Sequence, residues 1–288
     1  MSVKITIGIS FYNNERTLDF AVKSVVNQTF KSWELFLIDD GSSDNSINIA
    51  QNLVGLDSRI SLICDGTNKG LVYRLNQIID VANGGYIARM DADDVMLPER
   101  LEKQISIFVN NPKIDVVASA VYTIDENDIP IGIRDTDDID LKDKKDILKK
   151  SLLVHPSILV KKEWYKSNKY DKKYIRAEDF ELWCRTFTYT NFYRIKEPLL
   201  LYREGNTNIK NYVASMKTLR MIYRNYSKGL LSNNELAIEI FKSYLKSFLY
   251  RFMGFFNLQY LSTSKRNNSL TKIQIDFVKN FILELKKI

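Results

Sequence analysis

Residues 84–98 read GGYIARMDADDVMLP, and this stretch decides the fold. Gly84 and Gly85 end a helical pattern, a short apolar run occupies 86–90, and Asp91, Asp93 and Asp94 crowd the turn that follows. A short run bounded by glycines and an acidic turn reads as a strand. Upstream the same unit recurs. Residues 71–81 are spaced as a helix opened by Asn68, Lys69 and Gly70; 60–64 read as a strand and 46–53 as a helix. The strand at 34–38 ends in Asp39, Asp40, Gly41, Ser42 and Ser43. Residues 15–29 put Leu18, Ala21, Val22, Val25 and Val26 on one helical face, and 4–10 form the first strand. Downstream, Pro98 opens a helix through 109. Strand and helix in this rhythm predict an α/β fold with a Rossmann-like, mostly parallel sheet flanked by helices. Ligands of such sheets bind beyond the carboxyl ends of the strands, where the acidic turns fall.

The remainder is mixed. Residues 116–124 read as a strand, and 125–150 as an exposed, charge-dense loop with a short helix. Residues 153–160 read as a strand carrying the single histidine, His155; 177–187 are spaced as a helix and 193–202 as a strand. From 212 onward the pattern is helical, broken by Gly229 and a polar cluster at 262–269. With 45% apolar and 27% charged residues over 288 positions, the chain is ordinary globular protein. Cys64 and Cys184 fit no metal spacing and read as free thiols of a reducing compartment. The N-terminus runs straight into a strand pattern, and no stretch reaches the roughly 20 apolar residues of a membrane span. The expected location is cytoplasmic.

The net charge of +7 is unevenly placed. Residues 206–288 hold 14 Lys/Arg against 4 Asp/Glu, whereas 1–205 hold 28 against 31. We therefore divide the chain into a domain over 1–205 and a basic, aromatic-rich helical extension over 206–288. A basic tail suits nucleic acid, anionic lipid or a phosphorylated substrate. No nucleic-acid reader motif accompanies it, so nucleic acid is not an expected partner.

The residues that carry chemistry sit at strand ends. Three carboxylates in four residues repel one another unless a cation lies between them, and Mg²⁺ or Mn²⁺ prefers such oxygen ligands. The alternative for Asp91, Asp93 and Asp94 is an acidic helix cap ahead of Pro98 and Glu99. Asp40 is either part of an Asx turn or an acceptor for a base or ribose hydroxyl. Ser10, Tyr12 and Glu15 close the first strand, and Tyr12 either stacks on a nucleobase or covers the sheet edge. Asn68 and Lys69 bring a cation and a flexible backbone to the same face. Arg89 lies in a buried-looking strand and requires a carboxylate partner, since burying it alone costs several kcal/mol. Glu178 and Asp179 open a helix, either as complements to its dipole or as a general base. His155 is either a hydrogen-bonded core residue or a ligand.

Together these pieces resemble the family 2 glycosyltransferases with the GT-A fold, over residues 3–201. The matching strings are ISFYNNERTLDFAVKSVVNQTFKSWELFLIDDGSSD, NKGLVYRLNQ, GGYIARMDADDVMLPERLEKQ, HPSILVKK and AEDFELWCR. The resemblance implies an inverting transfer of a hexose or N-acetylhexosamine from a nucleotide diphosphate sugar, UDP-linked by first choice, to a saccharide hydroxyl. It places Tyr12 and Asp40 on the base, Glu15 at the mouth of the first loop, and Asp91 by the ribose. Asp93 becomes the metal residue, Asp94 a supporting one, and Asp179 the catalytic base, with Glu178 and His155 near the acceptor. Many relatives carry Ala-Arg-Asn where this chain reads Arg74, Leu75, Asn76, so Arg74 would stand in as the cation. The implied setting is bacterial surface-polysaccharide or glycan assembly. Two alternatives remain. A nucleotidyltransferase would carry a glycine-rich loop after its first strand, and residues 10–15 have no glycine. A non-catalytic nucleotide-sugar-binding module would have lost acids that this chain keeps.

In the extension, Lys242, Lys246 and Arg251 fall near one helical face and Ile238, Phe241, Leu245, Phe248, Phe252 and Phe255 near the other. Such a helix packs on the catalytic domain, joins two copies as a homodimer, or docks on the anionic inner face of a membrane that holds a lipid-linked acceptor.

Overall fold

The computed structural model describes residues 4–139, 144–149, 152–205, 208–256 and 267–287. Its first half is the expected parallel unit. Strands β1 (Ile5–Phe11), β2 (Trp33–Asp39), β3 (Ile60–Cys64) and β4 (Tyr86–Arg89) alternate with helices α1 (Leu18–Val26), α2 (Ser46–Leu56) and α3 (Leu71–Val81). They align in the order β3-β2-β1-β4, all parallel. Phe11 pairs with Asp39, so the carboxyl ends of β1 and β2 finish level. Ile5, Ile7 and Ile9 are fully buried against the apolar face of α1, where Leu18, Ala21, Val22 and Val25 lie. Each such side chain contributes about 1.5–3 kcal/mol on burial, which fixes the register of both elements.

The second half is mixed. It comprises β5 (Val95–Met96), α4 (Arg100–Asn110), β6 (Val116–Ile124), β7 (Pro130–Arg134), β8 (Leu159–Lys161), α5 (Lys162–Ser167), α6 (Glu178–Thr186) and β9 (Phe192–Arg203). The sheet continues β4-β8-β6-β9-β5, with β7 on β6, giving nine strands. Here β6 and β9 are parallel, while β8 is antiparallel to β4 and β6, and β9 to β5.

Two local expectations are corrected. The run at 153–160 is not one strand: His155–Ser157 form a 3-10 turn with Pro156 in its first positions, and pairing starts at Leu159. Proline has no N–H for a ladder, so a turn wins there. His155 therefore sits on a turn. The loop at 125–150 contains strand β7 and a 3-10 turn at Lys144–Leu148; residues 140–143 and 150 lie outside the described ones.

The extension is helical: α7 (Ile209–Tyr226), α8 (Asn233–Phe255) and α9 (Lys272–Leu285). Residues 206–207 and, from the polar cluster at 262–269, residues 262–266 lie outside the described ones. Helix α7 buries Ile222 and Tyr223 in the same core as Leu182 and Trp183 of α6. Helix α9 turns back to the sheet and packs Val278, Phe281, Ile282 and Leu285 against Val95, Ile124, Ile133 and Leu201. Ser232/Glu235 and Thr271/Gln274 form capping boxes that start α8 and α9. Among the described residues no helix is long and apolar enough to cross a membrane.

Candidate active site

The loops after β1 and β2 are laced together. Asn13 takes a left-handed backbone (φ 55°); its N–H donates to Ser42 Oγ at 3.0 Å and its Oδ1 accepts from Ser43 N at 2.8 Å. Glu15 Oε2 accepts from Asn45 N at 3.0 Å, so this acid latches one loop to the other. Tyr12 stands half exposed just beyond the end of β1, and Ser10 is partly buried beside Ile38.

The two aspartates after β2 divide the labour. Asp39 accepts from Gly41 N and Ser42 N, both at 3.0 Å, and so forms the Asx turn. A Cβ at Gly41 (φ +79°) would lie 2.8 Å from Asn68 N, so only glycine lets the two loops approach. Asp40 Oδ1 accepts from Lys69 N at 2.8 Å and Arg74 Nε at 2.8 Å; its Oδ2 accepts from Gly70 N at 3.0 Å. That leaves Oδ2 capacity for one more donor.

Arg74 is fully buried and every guanidinium N–H is used. Besides Asp40, it donates to Asp65 twice (2.7 and 3.0 Å), to Gln77 at 2.9 Å and to the Thr67 carbonyl at 2.6 Å. A guanidinium has five N–H groups, so none is left for a phosphate. The expectation that Arg74 stands in for the relatives' cation is therefore corrected: it clamps Asp40 to the loop at 65–67. Lys69 points its ammonium at Asp65 (2.8 Å) and over the Tyr73 ring (4.8 Å). It reaches the site through its backbone N–H. Asn68 is exposed.

The turn after β4 gathers Asp91, Asp93 and Asp94, with a carboxylate oxygen from each within 4.8 Å of the others. Arg89, buried as expected, pairs with Asp91. Asp94 is fully buried; its Oδ1 accepts from Arg203 N at 2.8 Å and its Oδ2 has no partner. Arg203 Nε donates to the Asp93 carbonyl at 2.9 Å, so β9 pins the acidic turn. Arg100, also buried, donates to the Arg89 carbonyl at 2.9 Å from α4. Burial, then the neighbouring Asp91, pushes the Asp93 carboxyl up to about 6. Burial, then Asp93 and Asp91, lifts Asp94 well above its ordinary value. A crowded acid cluster with an unpartnered oxygen fits a hard divalent cation such as Mn²⁺ or Mg²⁺, which relieves this repulsion.

A cavity of about 250 Å³ unites residues far apart in the chain: Arg89, Asp91, His155, Glu178, Asp179 and Tyr202 line it. His155 Nε2 shares a 2.6 Å hydrogen bond with Tyr170 Oη, which shares another of 2.6 Å with Tyr165 Oη. Burial, then Arg89, holds its imidazole well below the usual histidine range, so it is a neutral wall residue. Glu178 and Asp179 open α6. Burial, then Asp179, pushes Glu178 up to about 7. Burial also raises Asp179, against which the Phe180 N–H and Arg89 act. Glu178 faces a second cavity too, about 480 Å³, walled by Lys69, Tyr73, Ile175 and Arg176. A third, about 560 Å³, joins Asp93 and Glu15 to Arg16, Arg203 and Lys286. Arg134, Arg203 and Lys286 line these cavities and no motif announces them.

Residues 6–189 match glycosyl transferase family 2. An uncharacterized glycosyltransferase of Methanocaldococcus jannaschii is 35% identical over 223 residues, covering 75% of this chain and 76% of its own. Among solved structures, S. aureus TarS 1–349 in complex with UDP-GlcNAc is similar in fold (TM-score 0.61, 15% identity, 83% of this chain and 70% of that one). So is the mannosyltransferase PcManGT from Pyrobaculum calidifontis in complex with GDP-Man and Mn²⁺ (TM-score 0.59, 11% identity, 99% and 80%). With the match over 6–189, the 35% identical relative and the shared α/β fold, the chain belongs to glycosyl transferase family 2.

Proposed function

We propose that this glycosyltransferase moves a hexose or N-acetylhexosamine from a UDP-sugar to a saccharide hydroxyl, with inversion at the anomeric carbon. The observation that carries this reading is the cavity in which Asp91, at the end of the nucleotide half of the sheet, meets Asp179 of α6. Tyr12 stacks on the base, and the spare acceptor site on Asp40 Oδ2 takes a base N–H. Ser10, Asn68 and the Lys69 backbone border that seat, and Glu15 keeps its two loops closed. Arg89 occupies one oxygen of Asp91, and the other accepts a ribose hydroxyl. Asp93, with Asp94 braced behind it by Arg203, would hold Mn²⁺ or Mg²⁺. Such an ion, when bound, offsets the charge of the departing nucleotide diphosphate.

Asp179 takes the proton of the acceptor hydroxyl as that oxygen attacks the anomeric carbon. Burial raises both neighbouring acids, and at Asp179 the Phe180 N–H and Arg89 act against that rise and favour the ionised form a base needs. The acceptor enters from the cavity that Glu178 shares, where the basic and apolar wall of Lys69, Arg176 and Ile175 suits an amphiphilic, lipid-linked saccharide. Surface-polysaccharide assembly supplies such acceptors at the inner face of the cell membrane. The test is a panel of UDP- and GDP-sugars with Mn²⁺, Mg²⁺ or chelator, read as nucleotide diphosphate release. Release from a UDP-sugar, abolished by chelator, is expected. Preference for a GDP-sugar overturns the donor assignment, and metal-independent release overturns the role of Asp93.

A further inference from the structure

Helix α8 carries its apolar face outward. Its buried positions are Ser243, Ser247 and Tyr250, which face α7. There Arg220 donates to Ser243 Oγ at 3.1 Å, and Tyr212 stacks on Tyr250 at 3.5 Å between centroids. Gly254 meets Ile209: a Cβ at 254 would fall 2.0 Å from Ile209 Cδ1. Beyond Leu236 and Ile240, which pack on the core near the start of the helix, the inward side is hydroxyls, a guanidinium, one tyrosine and a glycine. On the outer side Phe241, Phe248 and Phe255 are 67%, 64% and 83% exposed, with Leu245, Leu249 and Phe252 between them. At about 100° per residue these six positions fall within an arc of roughly 120°, a continuous stripe. A helix that served only its own domain would turn such a stripe to the core. An exposed patch of this kind marks a contact surface.

Charge selects the occupant. The three cations do not share the one face expected: Lys242 and Lys246 border the stripe on one side and Arg251 on the other, and no acid follows Glu239 in the helix. Lys242 is paired with Glu239 at 2.8 Å; Lys246 and Arg251 have no ion pair among the described residues. Two copies meeting stripe to stripe would bring cationic borders together with no acid to answer them. An anionic lipid surface satisfies both features at once, taking the aromatic rings at the headgroup boundary and the cations among the phosphates. The tail as a whole does not fit that role, because the apolar face of α9 is already buried on the sheet.

We propose that α8 lies flat in an anionic membrane surface through its Phe241–Phe255 stripe. The last turn of α8 rests on Ile209, six residues beyond Arg203, which holds the acidic turn. Six residues span at most about 20 Å. The last turn of α8 is therefore tethered within about 20 Å, along the chain, of the residue that holds the acidic turn. The docking itself is independent of which sugar is transferred.

The test uses the full chain with phosphatidylcholine vesicles of rising phosphatidylglycerol content, at low and high salt. Co-sedimentation should rise with phosphatidylglycerol and fall with salt. The triple variant F248S/F252S/F255S should lose binding by about tenfold or more at low salt, with an unchanged urea midpoint and unchanged donor hydrolysis in solution. The pair K246Q/R251Q should flatten the phosphatidylglycerol dependence. No binding at low salt, or full binding by the triple variant, overturns the proposal. A concentration-dependent dimer that the triple variant abolishes, without vesicle binding, assigns the stripe to a second copy instead.

Discussion

Replacing Glu178 by glutamine should make the metal-free protein more stable at neutral pH. Glu178 is 7% exposed, and burial followed by its neighbour Asp179 pushes its carboxyl from 4.5 to about 7. The folded state holds this proton more tightly than the unfolded chain does. The stability it contributes is therefore complete below about pH 4.5 and is lost as pH rises through about 7. At about 1.36 kcal/mol per unit, the ionised form destabilises the fold by up to about 3 kcal/mol near pH 8. Glutamine keeps the shape and cannot ionise. It gives up an acid in the first turn of α6, worth about 0.3–1 kcal/mol. The net expectation is a gain of about 1–2.5 kcal/mol near pH 8, shrinking below about 1 kcal/mol near pH 5. Urea unfolding at the two pH values, with chelator present, measures it as a shift in midpoint at constant slope. Asp93 is pushed up in the same direction, to about 6, and wild type and variant share that background; Asp179, also raised, is coupled to Glu178, so their difference reports the pair. Parallel pH profiles for the two proteins would refute the reasoning.

Asp93→Ala should abolish metal-dependent donor binding and leave the fold intact, since it relieves repulsion with Asp91; isothermal titration with a UDP-sugar and Mn²⁺ reads it, and unchanged binding removes Asp93 from the metal site. Asp179→Asn should keep donor affinity and lose transfer by about 10²–10⁴-fold. Transfer within a few-fold of wild type at saturating acceptor would move the base to Glu178. Arg74→Met should cost about 3–5 kcal/mol in unfolding experiments, because the buried Asp40 loses its buried partner. A loss under about 1 kcal/mol would show that the Asp40 seat does not depend on the clamp.

The parallel half is legible because β1, β2 and β4 are runs of buried residues that each end in a polar turn, and period and punctuation agree there. Acids at those ends are legible for the same reason. Strand β5 is not: Val95 and Met96 become a strand only by pairing with Leu201 and Leu200. The segment around His155 misleads because an apolar run hides a 3-10 turn, although Pro156 signals it. Strand β7 hides in a charged segment, its only local cue the alternation of Ile131 and Ile133. The roles of the arginines are less legible than their positions. Arg74 and Arg203 matter through partners that only the tertiary structure brings near, from Asp40 to Asp94. The meeting of Asp91 with Asp179 likewise depends on strands laid down between them.

The clamp between Arg203 and Asp94 spans 109 positions. On a ribosome adding about 5–20 residues per second, the acidic turn emerges several seconds before the residue that pins it. Every position matched by the family, 6–189, is translated before that hydrogen bond can form. Assembly of the acidic turn is thus a late event in the life of the nascent chain. A premature stop between 189 and 203 would yield a product that carries every residue matched by the family and an acidic turn without the hydrogen bonds of Arg203 to Asp93 and Asp94.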